Sequence, residues 1–523
     1  MKVVRGYLEI MANSWRLLGL LLLVLSDQIS ADFYSERAAV LEAEANTFMG
    51  SELTLSPNEE RVNKLLMQMK HTELDSAFES SSYPPAQSLF VSKSEIEASN
   101  VFQFIQSLPK GGAIHTHDIS IASIDWAIAN LTYRDNLWAC FDHGSLRFSW
   151  ALNPDDQCTK WDSLADLRQD LGSEEVDYLI KRYLVINVPN PDEVYPDVNA
   201  VWEAFGSALG TVTTLISYEP AFRDYFRQAL VEFHADNVQL LEVRTVLPDE
   251  VCKDLGPCNK LSQTEIAAIY QEVADEFLQG NPDSCGTHMI FAPTRGVTDE
   301  TFSEYIPMAQ TLMANHPGFF VGFDLVGQED KGRPLIDYAD ALIAAKQSDP
   351  KLKYFLHAGE TDWQGVSTDI NIIDALLLNT TRIGHGYAIV KHPEAKRLAR
   401  ERDVPLEICP ISNQVLGLVH DLRNHPGAVL IQEGFPLVIS SDDPATWDLT
   451  GLSYDFYEAF MGMAGRDMDL RLLKKLVLNS VKYAGFVDET KRQQCQDLVM
   501  SKWDAFMDTF ASSVDPEIQL IHK

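Results

Sequence analysis

Two histidines separated by one residue end a short apolar run near residue 115. Side chains alternate along a strand, so His115 and His117 point to the same side of it and can bind one metal ion. Histidine pairs at this spacing also occur in turns and on surfaces, so the pair alone decides little. The pair becomes evidence for a metal site only if other metal-binding side chains lie beside it in the fold.

Other groups with metal-binding or acid–base chemistry also follow short apolar runs. His357 precedes Glu360 by three residues, His385 lies between two glycines, and Asp442 and Asp443 are adjacent. Three imidazoles and one carboxylate suit zinc, and a carboxylate beside the metal can act as an acid or base. Taken singly, each is more simply a hydrogen-bonded histidine or a turn aspartate.

Eight short apolar runs alternate with amphipathic segments and are expected to position these residues. Their spacing predicts an α/β fold, a (β/α)₈ TIM barrel, which gathers the strand carboxyl ends into one pocket. The candidate metal ligands at those ends favour a barrel of the metal-dependent hydrolase type. An N-terminal helical arm and an inserted disulfide-containing subdomain complete the prediction. The runs are Gly112–Thr116, Val238–Thr245, His288–Ala292, Phe319–Leu325, Tyr354–Ala358, Arg382–Gly386, Pro405–Cys409 and Pro436–Ser441.

The lengths of sequence before and between the apolar runs predict segments that are added to the barrel. The first gap is far longer than one crossover helix needs, which predicts an insertion. Capping patterns at Ser56 to Glu59 and at Ser94 to Glu97 predict helices before the barrel. These helices either pack on the barrel or form a dimerisation arm. The predicted segments are a signal peptide (1–30), a helical extension (31–108), the barrel start (109–130), an inserted subdomain (131–190), the catalytic barrel (191–510) and a C-terminal tail (511–523).

Composition and the N-terminus indicate an exported protein. At 46% hydrophobic residues the chain can bury a large core, and 42 basic against 76 acidic residues disfavour binding to nucleic acid or anionic membranes. Basic residues before the apolar run 17–25 are typical of a secretory signal peptide, which is too short to span a membrane. A buried N-terminal helix is the alternative. Asn130 and Asn379 each begin a glycosylation sequon.

The seven cysteines predict disulfides in an oxidising compartment, with at least one cysteine unpaired. Cys140 with Cys158, and Cys252 with Cys258, are the nearest neighbours along the chain. Cys409 lies in an apolar run and is expected to be a buried free thiol. The remaining pairing stays open.

Several longer motifs together resemble one enzyme family. They are Leu108-Pro109-Lys110-Gly111-Gly112 before HTHD, then GFDLVGQE, HAGETDWQG, NTTRIGHGYA, CPISNQVL, VISSDDP and GLSYDFYEAFMG. In this order they resemble the secreted adenosine deaminases, the adenosine deaminase-related growth factor branch, also called the adenosine deaminase 2 family. The resemblance implies hydrolysis of adenosine and 2'-deoxyadenosine to inosine, deoxyinosine and ammonia. It also implies one Zn²⁺ per subunit, a homodimer, growth-factor action by lowering extracellular adenosine, and a cell-surface receptor or glycosaminoglycan as partner.

The same resemblance gives individual residues a role. His115, His117, His357 and Asp442 match the zinc ligands, Glu360 matches the group that protonates the purine N1, and His385 matches the residue that positions and deprotonates the attacking water. Asp443 matches the contact to N7, and Gly327 a backbone contact to the base. Asp118 and the helix face with Trp202, Phe205 and Leu209 match the ribose contacts, although ordinary helix packing also explains that face.

One departure from the family pattern concerns the third strand. Relatives carry Asp-His-Arg after it, and this chain has Pro293-Thr294-Arg295. A histidine contact to the nucleoside is therefore expected to be missing, while the metal chemistry is unaffected.

Two other functions stay open. Another metal-dependent amidohydrolase is one, but Phe319–Leu325 has no lysine to bridge two metals, and the acidic balance disfavours a nucleotide substrate. The other is a catalytically weak extracellular growth factor or binding protein on a deaminase fold. Such a protein is expected to have lost at least one chemical residue, and here all of them are present.

Overall fold

The computed structural model describes residues 32–513 except 153, 155–157 and 256–257, and before residue 32 only positions 1, 6–7, 11 and 14–15. The apolar run of the predicted signal peptide and most of the predicted C-terminal tail therefore lie outside the described residues. Within the described part of the chain, no helix is both long and apolar enough to cross a membrane.

Eight parallel strands close into a barrel, which confirms the predicted fold. They form two half-sheets, in the orders β1-β5-β6-β7 and β11-β10-β9-β8. The pairing of Thr116 with Asp442 and of Phe323 with Tyr354 joins the half-sheets at two seams. The barrel strands are β1 (Gly111–His117), β5 (Val238–Thr245), β6 (Gly286–Phe291), β7 (Phe320–Phe323), β8 (His357–Ala358), β9 (Ile383–His385), β10 (Leu406–Ile408) and β11 (Leu437–Ile439).

Helices cover the outside of the barrel, which buries the strands on both faces and explains their nearly continuous apolar runs. One hydrophobic cluster runs from the N-terminal helices through the barrel to the last helix. Before and within the insertion the helices are α1 (32–45), α2 (Pro57–Ser80), α3 (Leu89–Glu97), α4 (Asn100–Ser107), α5 (Ile124–Leu131), α6 (Leu164–Leu171), α7 (Ser173–Leu184), α8 (Pro191–Val194), α9 (Val198–Leu215) and α10 (Glu219–Ala235). The later helices are α11 (Gln263–Gly280), α12 (Asp299–Asn315), α13 (Ala339–Ser348), α14 (Asn371–Leu377), α15 (Pro393–Glu401), α16 (Pro410–Val415), α17 (Pro426–Gln432), α18 (Ser453–Tyr457), a π-helical turn at Glu458–Met463, α19 (Leu470–Lys482) and α20 (Glu489–Ser513).

The N-terminal extension packs on the barrel through α2 and α4. The capping box at Ser56 begins α2, with proline at its first turn, as predicted. The second predicted helix start is wrong, because Ser94 lies inside α3. Helix α4 instead begins after Ser99, whose hydroxyl accepts a hydrogen bond from the backbone N–H of Phe102. The helix is broken just before Ser99, and residue types alone do not mark that break.

A small antiparallel sheet lies in the long gap between β1 and β5. Its strands are β2 (Trp138–Asp142), β3 (Ser145–Ser149) and β4 (Asp162–Ser163), with β2 in the centre. Helix α9 packs against β3 and α7, so the insertion is fixed to the helix that leads back to the barrel.

Six of the seven cysteines form disulfides. Cys140 pairs with Cys158 in the insertion, and Cys252 pairs with Cys258 after β5. The third bridge joins Cys285, just before β6, to Cys495 in α20 across 210 residues of sequence. Cys409 is a buried free thiol, as expected.

Candidate active site

Four metal-binding side chains converge at the seam between β1 and β11. The ligand atoms of His115, His117, His357 and Asp442 all lie within 4.8 Å of one another. Nε2 of His115 and of His117 lie 3.3 and 3.0 Å from Oδ1 of Asp442. Burial opposes the charge of Asp442, but the two neighbouring imidazoles hold the pKa of its carboxyl well below the usual range.

The cluster fits a single metal ion. Nε2 of His115 and Oδ1 of Asp442 are buried and have no hydrogen-bond partner among the described residues. Orphaned polar atoms cost free energy unless a ligand satisfies them. Three imidazole nitrogens and one carboxylate oxygen are a donor set typical of zinc. The nearby Cys409 fits less well, because burial raises the pKa of its thiol well above the usual value.

Two residues of this site have a left-handed backbone conformation. The φ angles of His385 and Asp442 are 54° and 58°. Non-glycine residues adopt this region rarely, and it commonly marks a functional position. His385 is the last residue of β9, and Asp442 lies three residues after the end of β11.

Two buried carboxylates orient the imidazoles of the cluster. Nδ1 of His115 lies 2.6 Å from Glu407, and Nδ1 of His357 lies 2.6 Å from Asp324. The Arg244 guanidinium binds both carboxylates, at 2.6 Å from Glu407 and 2.7 Å from Asp324. Each imidazole therefore donates a hydrogen bond from its Nδ1–H to a carboxylate, which leaves the lone pair of Nε2 available to a metal.

This ionic network continues below the site. Arg382 binds Glu407 and also lies 3.0 Å from Glu242, which in turn is 3.1 Å from His288. Burial opposes ionisation of Glu242, but the charge of Arg382 lowers the pKa of that carboxyl to about 2. Three carboxylates (Glu242, Asp324 and Glu407) thus face two guanidinium groups. The excess negative charge favours a cation among the imidazoles.

Glu360 lies beside the cluster on a rigidly held turn. Oε1 of Glu360 is 3.5 Å from Nε2 of His385. The Glu329 carboxylate accepts the backbone N–H groups of Gly359 and Glu360, at 3.0 and 2.7 Å. Arg295 donates to the carbonyl of His357 at 2.8 Å, which fixes the start of the same turn.

Burial favours the uncharged forms of two site residues. It raises the pKa of Glu360 well above the usual value, with the neighbouring Asp442 and Glu329 charges adding to the effect. Burial likewise lowers the pKa of His385 well below the usual value. A carboxyl that retains its proton near neutral pH can serve as a general acid.

Asp118 and Asp443 lie near one another beside the metal cluster, and Gly327 lies in the loop that follows β7. Oδ1 of Asp443 is buried without a hydrogen-bond partner among the described residues, and burial followed by the Asp442 charge raises its pKa well above the usual value. Asp118 accepts a hydrogen bond from the hydroxyl of Tyr270 at 2.6 Å. Gly327 has a φ angle of 104°, and no atom lies within 4 Å of the place where its Cβ would be.

Helix α9 lies over one side of the mouth. It packs against the segments that follow Asp118 and Asp443, and Asn199 at its start accepts a hydrogen bond from Gln328 at 2.9 Å. Trp202 is half-buried, and Phe205 is buried with its ring 5.5 Å from that of Trp447. Leu209 packs against the hydrophobic core. Trp202 packs against the same core and is buried to the same degree as Leu209, so the packing interpretation fits all three residues of this helix face.

Comparison with known proteins decides the family. The family model described as adenosine deaminase matches residues 176–502, and the adenosine/AMP deaminase N-terminal model matches residues 17–105. The chain belongs to the adenosine deaminase family. Human adenosine deaminase 2 is 42% identical over 90% of this chain and 92% of its own length. An adenosine deaminase from Lutzomyia longipalpis is 40% identical over 91% and 94%.

Solved structures share the fold of this adenosine deaminase family member. An Arabidopsis N6-methyl-AMP deaminase is 20% identical and superposes with a TM-score of 0.53 over 76% of this chain and 99% of its own. An amidohydrolase from Burkholderia ambifaria with bound zinc is 18% identical, with a TM-score of 0.52 over 79% and 95%. At these identities the likeness establishes the barrel architecture.

Several residues around this deaminase-family site were missed by sequence reasoning. They are the buried ion network (Asp324, Glu407, Arg244, Arg382 and Glu242), the supports of the Glu360 turn (Glu329 and Arg295), Asn413 beside His385, and His425 beside Asn413. A signal was present for some of them. Glu242, Arg244 and Glu407 are charged residues inside otherwise apolar strands, and a buried charge requires a partner.

Proposed function

We propose that this protein is a zinc-dependent adenosine deaminase that hydrolyses adenosine to inosine and 2'-deoxyadenosine to deoxyinosine, with release of ammonia. One observation carries the proposal. In a member of the adenosine deaminase family, four ligand atoms within 4.8 Å of one another lie beside the buried Glu360 and His385.

His115, His117, His357 and Asp442 would hold the zinc ion. When bound, zinc acts as a Lewis acid that makes water a nucleophile near neutral pH. The orphaned Nε2 of His115 and Oδ1 of Asp442 support this assignment, as does the excess negative charge of the ion network below. The zinc in the amidohydrolase of the same fold is consistent with the choice of metal.

The remaining side chains have separate tasks on the purine. Glu360 delivers a proton to N1, and its raised pKa suits that role. His385 orients the water that attacks C6, after which the amino group leaves as ammonia. Asp443 faces N7, which is a hydrogen-bond acceptor, and burial together with the Asp442 charge raises the pKa of its carboxyl, which favours the protonated form that can donate.

The ribose lies toward Asp118 and helix α9 in this proposal. Trp202 and Phe205 cover that side, and Gly327 offers its backbone to the base. Thr294 is exposed at the position where relatives carry histidine. Nucleoside affinity therefore differs from that of relatives with the histidine, while the metal site is retained.

The protein acts outside the cell in this proposal. Three disulfides suit an oxidising compartment, and Asn130 and Asn379 are both exposed for glycosylation. Growth-factor action then follows from lower extracellular adenosine. A receptor or glycosaminoglycan would bind the insertion. Recovery of the protein from culture medium with the first ~30 residues removed tests export.

A homodimer would use helix α1. Every residue of 32–45 is exposed, including Phe33, Tyr34, Val40 and Leu41. An unburied apolar helix surface of this kind commonly marks an interface. Deletion of residues 32–45 is expected to give a monomer in light scattering. A deletion variant that remains dimeric excludes this helix as the interface.

The proposal is tested on purified protein from the culture medium. Adenosine is expected to yield equal amounts of inosine and ammonia, a chelator to abolish turnover, and added zinc to restore it. Zinc content is measured on the same sample. Failure to convert adenosine with zinc restored would exclude the proposed reaction. It would instead favour the catalytically weak growth factor, whose effect on cells should survive Glu360→Gln.

A further inference from the structure

The disulfide between Cys285 and Cys495 lies beside a cavity of about 500 Å³ at the amino-terminal end of β6. Both cysteines line the cavity, together with the exposed Lys491 and Gln494 of α20, so it opens to solvent along that helix. Cys285 is partly exposed, and Cys495 is buried. A small molecule in solution can therefore reach the Cys285 sulfur through the cavity, far from the carboxyl ends of the strands.

Helix α20 connects this cavity to the N-terminal extension. The helix packs on α2, and the indole N–H of Trp503 donates to Glu59 of α2 at 2.7 Å. The buried residues of α20 form one stripe, at Cys495, Val499, Trp503, Met507 and Ala511. Cys495 is the first residue of this stripe, so its bond to Cys285 fastens the start of the helix to the barrel.

Two polar contacts also hold α20 near the disulfide. Arg492 donates to the backbone carbonyl of Phe486 at 3.4 Å, a contact within one stretch of chain. Lys502 lies 2.5 Å from Asp283, but it is seven residues beyond Cys495. With the disulfide open, no side-chain hydrogen bond or ion pair among the described residues joins residues 489–498 to β6.

The wall of the cavity also includes the rings of Phe486 and His288. Their centroids lie 4.7 Å apart in an edge-to-face contact. Nδ1 of His288 lies 3.1 Å from Glu242, and the backbone N–H of Gly485 donates to the same carboxylate. Gly485 and Phe486 precede α20 by only a few residues. A shift of the start of α20 therefore also moves the segment that covers Glu242.

Glu242 is one end of the ion network below the metal cluster. It lies 3.0 Å from Arg382, which binds Glu407, and Glu407 lies 2.6 Å from Nδ1 of His115. All four side chains are buried, where a low dielectric constant strengthens their attraction. Water admitted at Glu242 weakens its attraction to Arg382, and the support of His115 becomes weaker in turn.

The geometry points to the Cys285–Cys495 disulfide as a redox-sensitive strap: a dithiol reductant opens it through the cavity, the start of α20 detaches, and the metal cluster binds its ion more weakly. The opening of the strap stands on the disulfide, the cavity and the helix. Its effect on the metal rests on the proposed zinc site, and the two effects are measured separately.

The reaction is a thiol–disulfide exchange. A thiolate of the dithiol attacks the Cys285 sulfur, the bond between the two cysteines breaks, and Cys495 leaves as a thiolate that takes up a proton. The second thiolate of the reductant then attacks the reductant sulfur of the mixed disulfide, which releases Cys285. The two electrons and two protons that the cysteines gain come from the dithiol, which becomes a cyclic disulfide.

The native protein, loaded with zinc, is treated with dithiothreitol, and new thiols are located by alkylation and mass spectrometry. Thiols are expected at Cys285 and Cys495 in the folded protein, with amide hydrogen exchange several-fold faster in residues 489–498. Absence of these thiols until the protein unfolds would refute access through the cavity. Their presence with unchanged exchange would refute the strap.

Zinc affinity is measured on the alkylated samples by competition with a coloured chelator, after the reductant has been removed. Reduction is expected to lower the affinity by about 10-fold or more, the usual effect of disturbing the partner of a metal ligand. Faster exchange with unchanged affinity would overturn the link through Glu242. A protein that binds no zinc but shows the faster exchange would refute the proposed zinc site and leave the strap in place.

A double variant removes the bond without a reductant. Cys285→Ser with Cys495→Ser should reproduce the exchange and zinc affinity of the reduced protein and show no further response to dithiothreitol. A double variant that matches the oxidised wild type would overturn the strap. If it does not fold, the reduced wild type still decides the outcome.

The matched control removes the more exposed disulfide after β5. Cys252→Ala with Cys258→Ala should match the oxidised wild type in the exchange of residues 489–498 and in zinc affinity. Equally fast exchange in the control and in the serine variant would show general loosening of the protein and would overturn the specific role of Cys285 and Cys495.

Discussion

Oε2 of Glu407 lies 2.6 Å from Nδ1 of His115, and the same carboxylate binds the guanidinium of Arg244. Asp324 repeats the arrangement at His357 and shares the same arginine. One guanidinium thereby fixes two proposed metal ligands that come from different half-sheets. The Nε2 atoms are oriented before any metal arrives.

Glu407→Gln is therefore expected to weaken metal binding by about 10–100-fold, because the carboxylate that orients and polarises His115 is lost. Metal dissociation constants are measured by competition with a coloured chelator. The exposed Glu401→Gln on α15 is the matched control and should bind metal like the wild type. Equal affinities for Glu407→Gln and the control would remove Glu407 from this role.

Glu360→Gln tests proton delivery to the ring. Glutamine cannot release a proton to N1, so kcat should fall by about 10²–10⁴-fold while zinc content is unchanged. Glu329 still holds the backbone of the turn in this variant. Steady-state kinetics and metal analysis of one preparation give both values. Activity within a few-fold of the wild type would show that another group supplies the proton.

Gly384→Ala tests the space between the imidazoles. A Cβ atom at residue 384 would lie 3.0 Å from Cα of His357 and 3.2 Å from Cε1 of His115. The two rings must move apart, and a displacement of a few tenths of an ångström is expected to lower metal affinity by about tenfold or more. Gly280→Ala, which has no atom within 4 Å of the added Cβ, is the control. Unaltered affinity in Gly384→Ala would mean that the rings adapt freely.

The buried ammonium group of Lys70 is expected to make the stability of the folded protein depend on pH. Its ammonium is buried under the ring of Phe460, and burial lowers its pKa to about 7. The unfolded chain has a lysine pKa of about 10.4, so between these values only the unfolded state binds the proton, and stability rises with pH by up to about 1.4 kcal/mol per unit.

Lys70→Met should therefore reduce the slope of the free energy of unfolding between about pH 7 and 10. The backbone carbonyls of Gly465 and Met468 lose a donor in this variant, so its absolute stability also changes. Denaturant unfolding at several pH values separates the change in the pH dependence of the free energy of unfolding from the change in absolute stability. Lys64→Met, an exposed position on the same helix, is the control. A slope equal to that of the wild type would show that Lys70 stays charged in the folded protein.

The sequence predicted the strand ends well, for a physical reason. His115, His357, His385 and Asp442 follow apolar runs, and a parallel barrel brings the carboxyl ends of its strands together. The predicted start of a helix at Ser94 was wrong because capping residues also occur inside helices, and only the observed break at Ser99 marks the start of α4.

The residues that support the proposed ligands could not be predicted, because their partners are far away in the sequence. Nδ2 of Asn413 lies 3.2 Å from Nδ1 of His385, and Nε2 of His425 lies 3.0 Å from Oδ1 of Asn413, and no local pattern marks either residue. The pairing of Cys285 with Cys495 spans 210 residues and depends on where α20 lies in the folded protein. Glu407 was visible as a charge in an apolar strand, but its partner Arg244 is 163 residues away.

The seam between β1 and β11 has a consequence for how the protein assembles. His115 and His117 belong to one half-sheet, and His357 and Asp442 to the other. A chain with a single half-sheet formed holds at most two of the four proposed ligands and cannot retain the ion. Metal uptake during folding is therefore expected to report closure of the seam, whenever in folding that closure occurs.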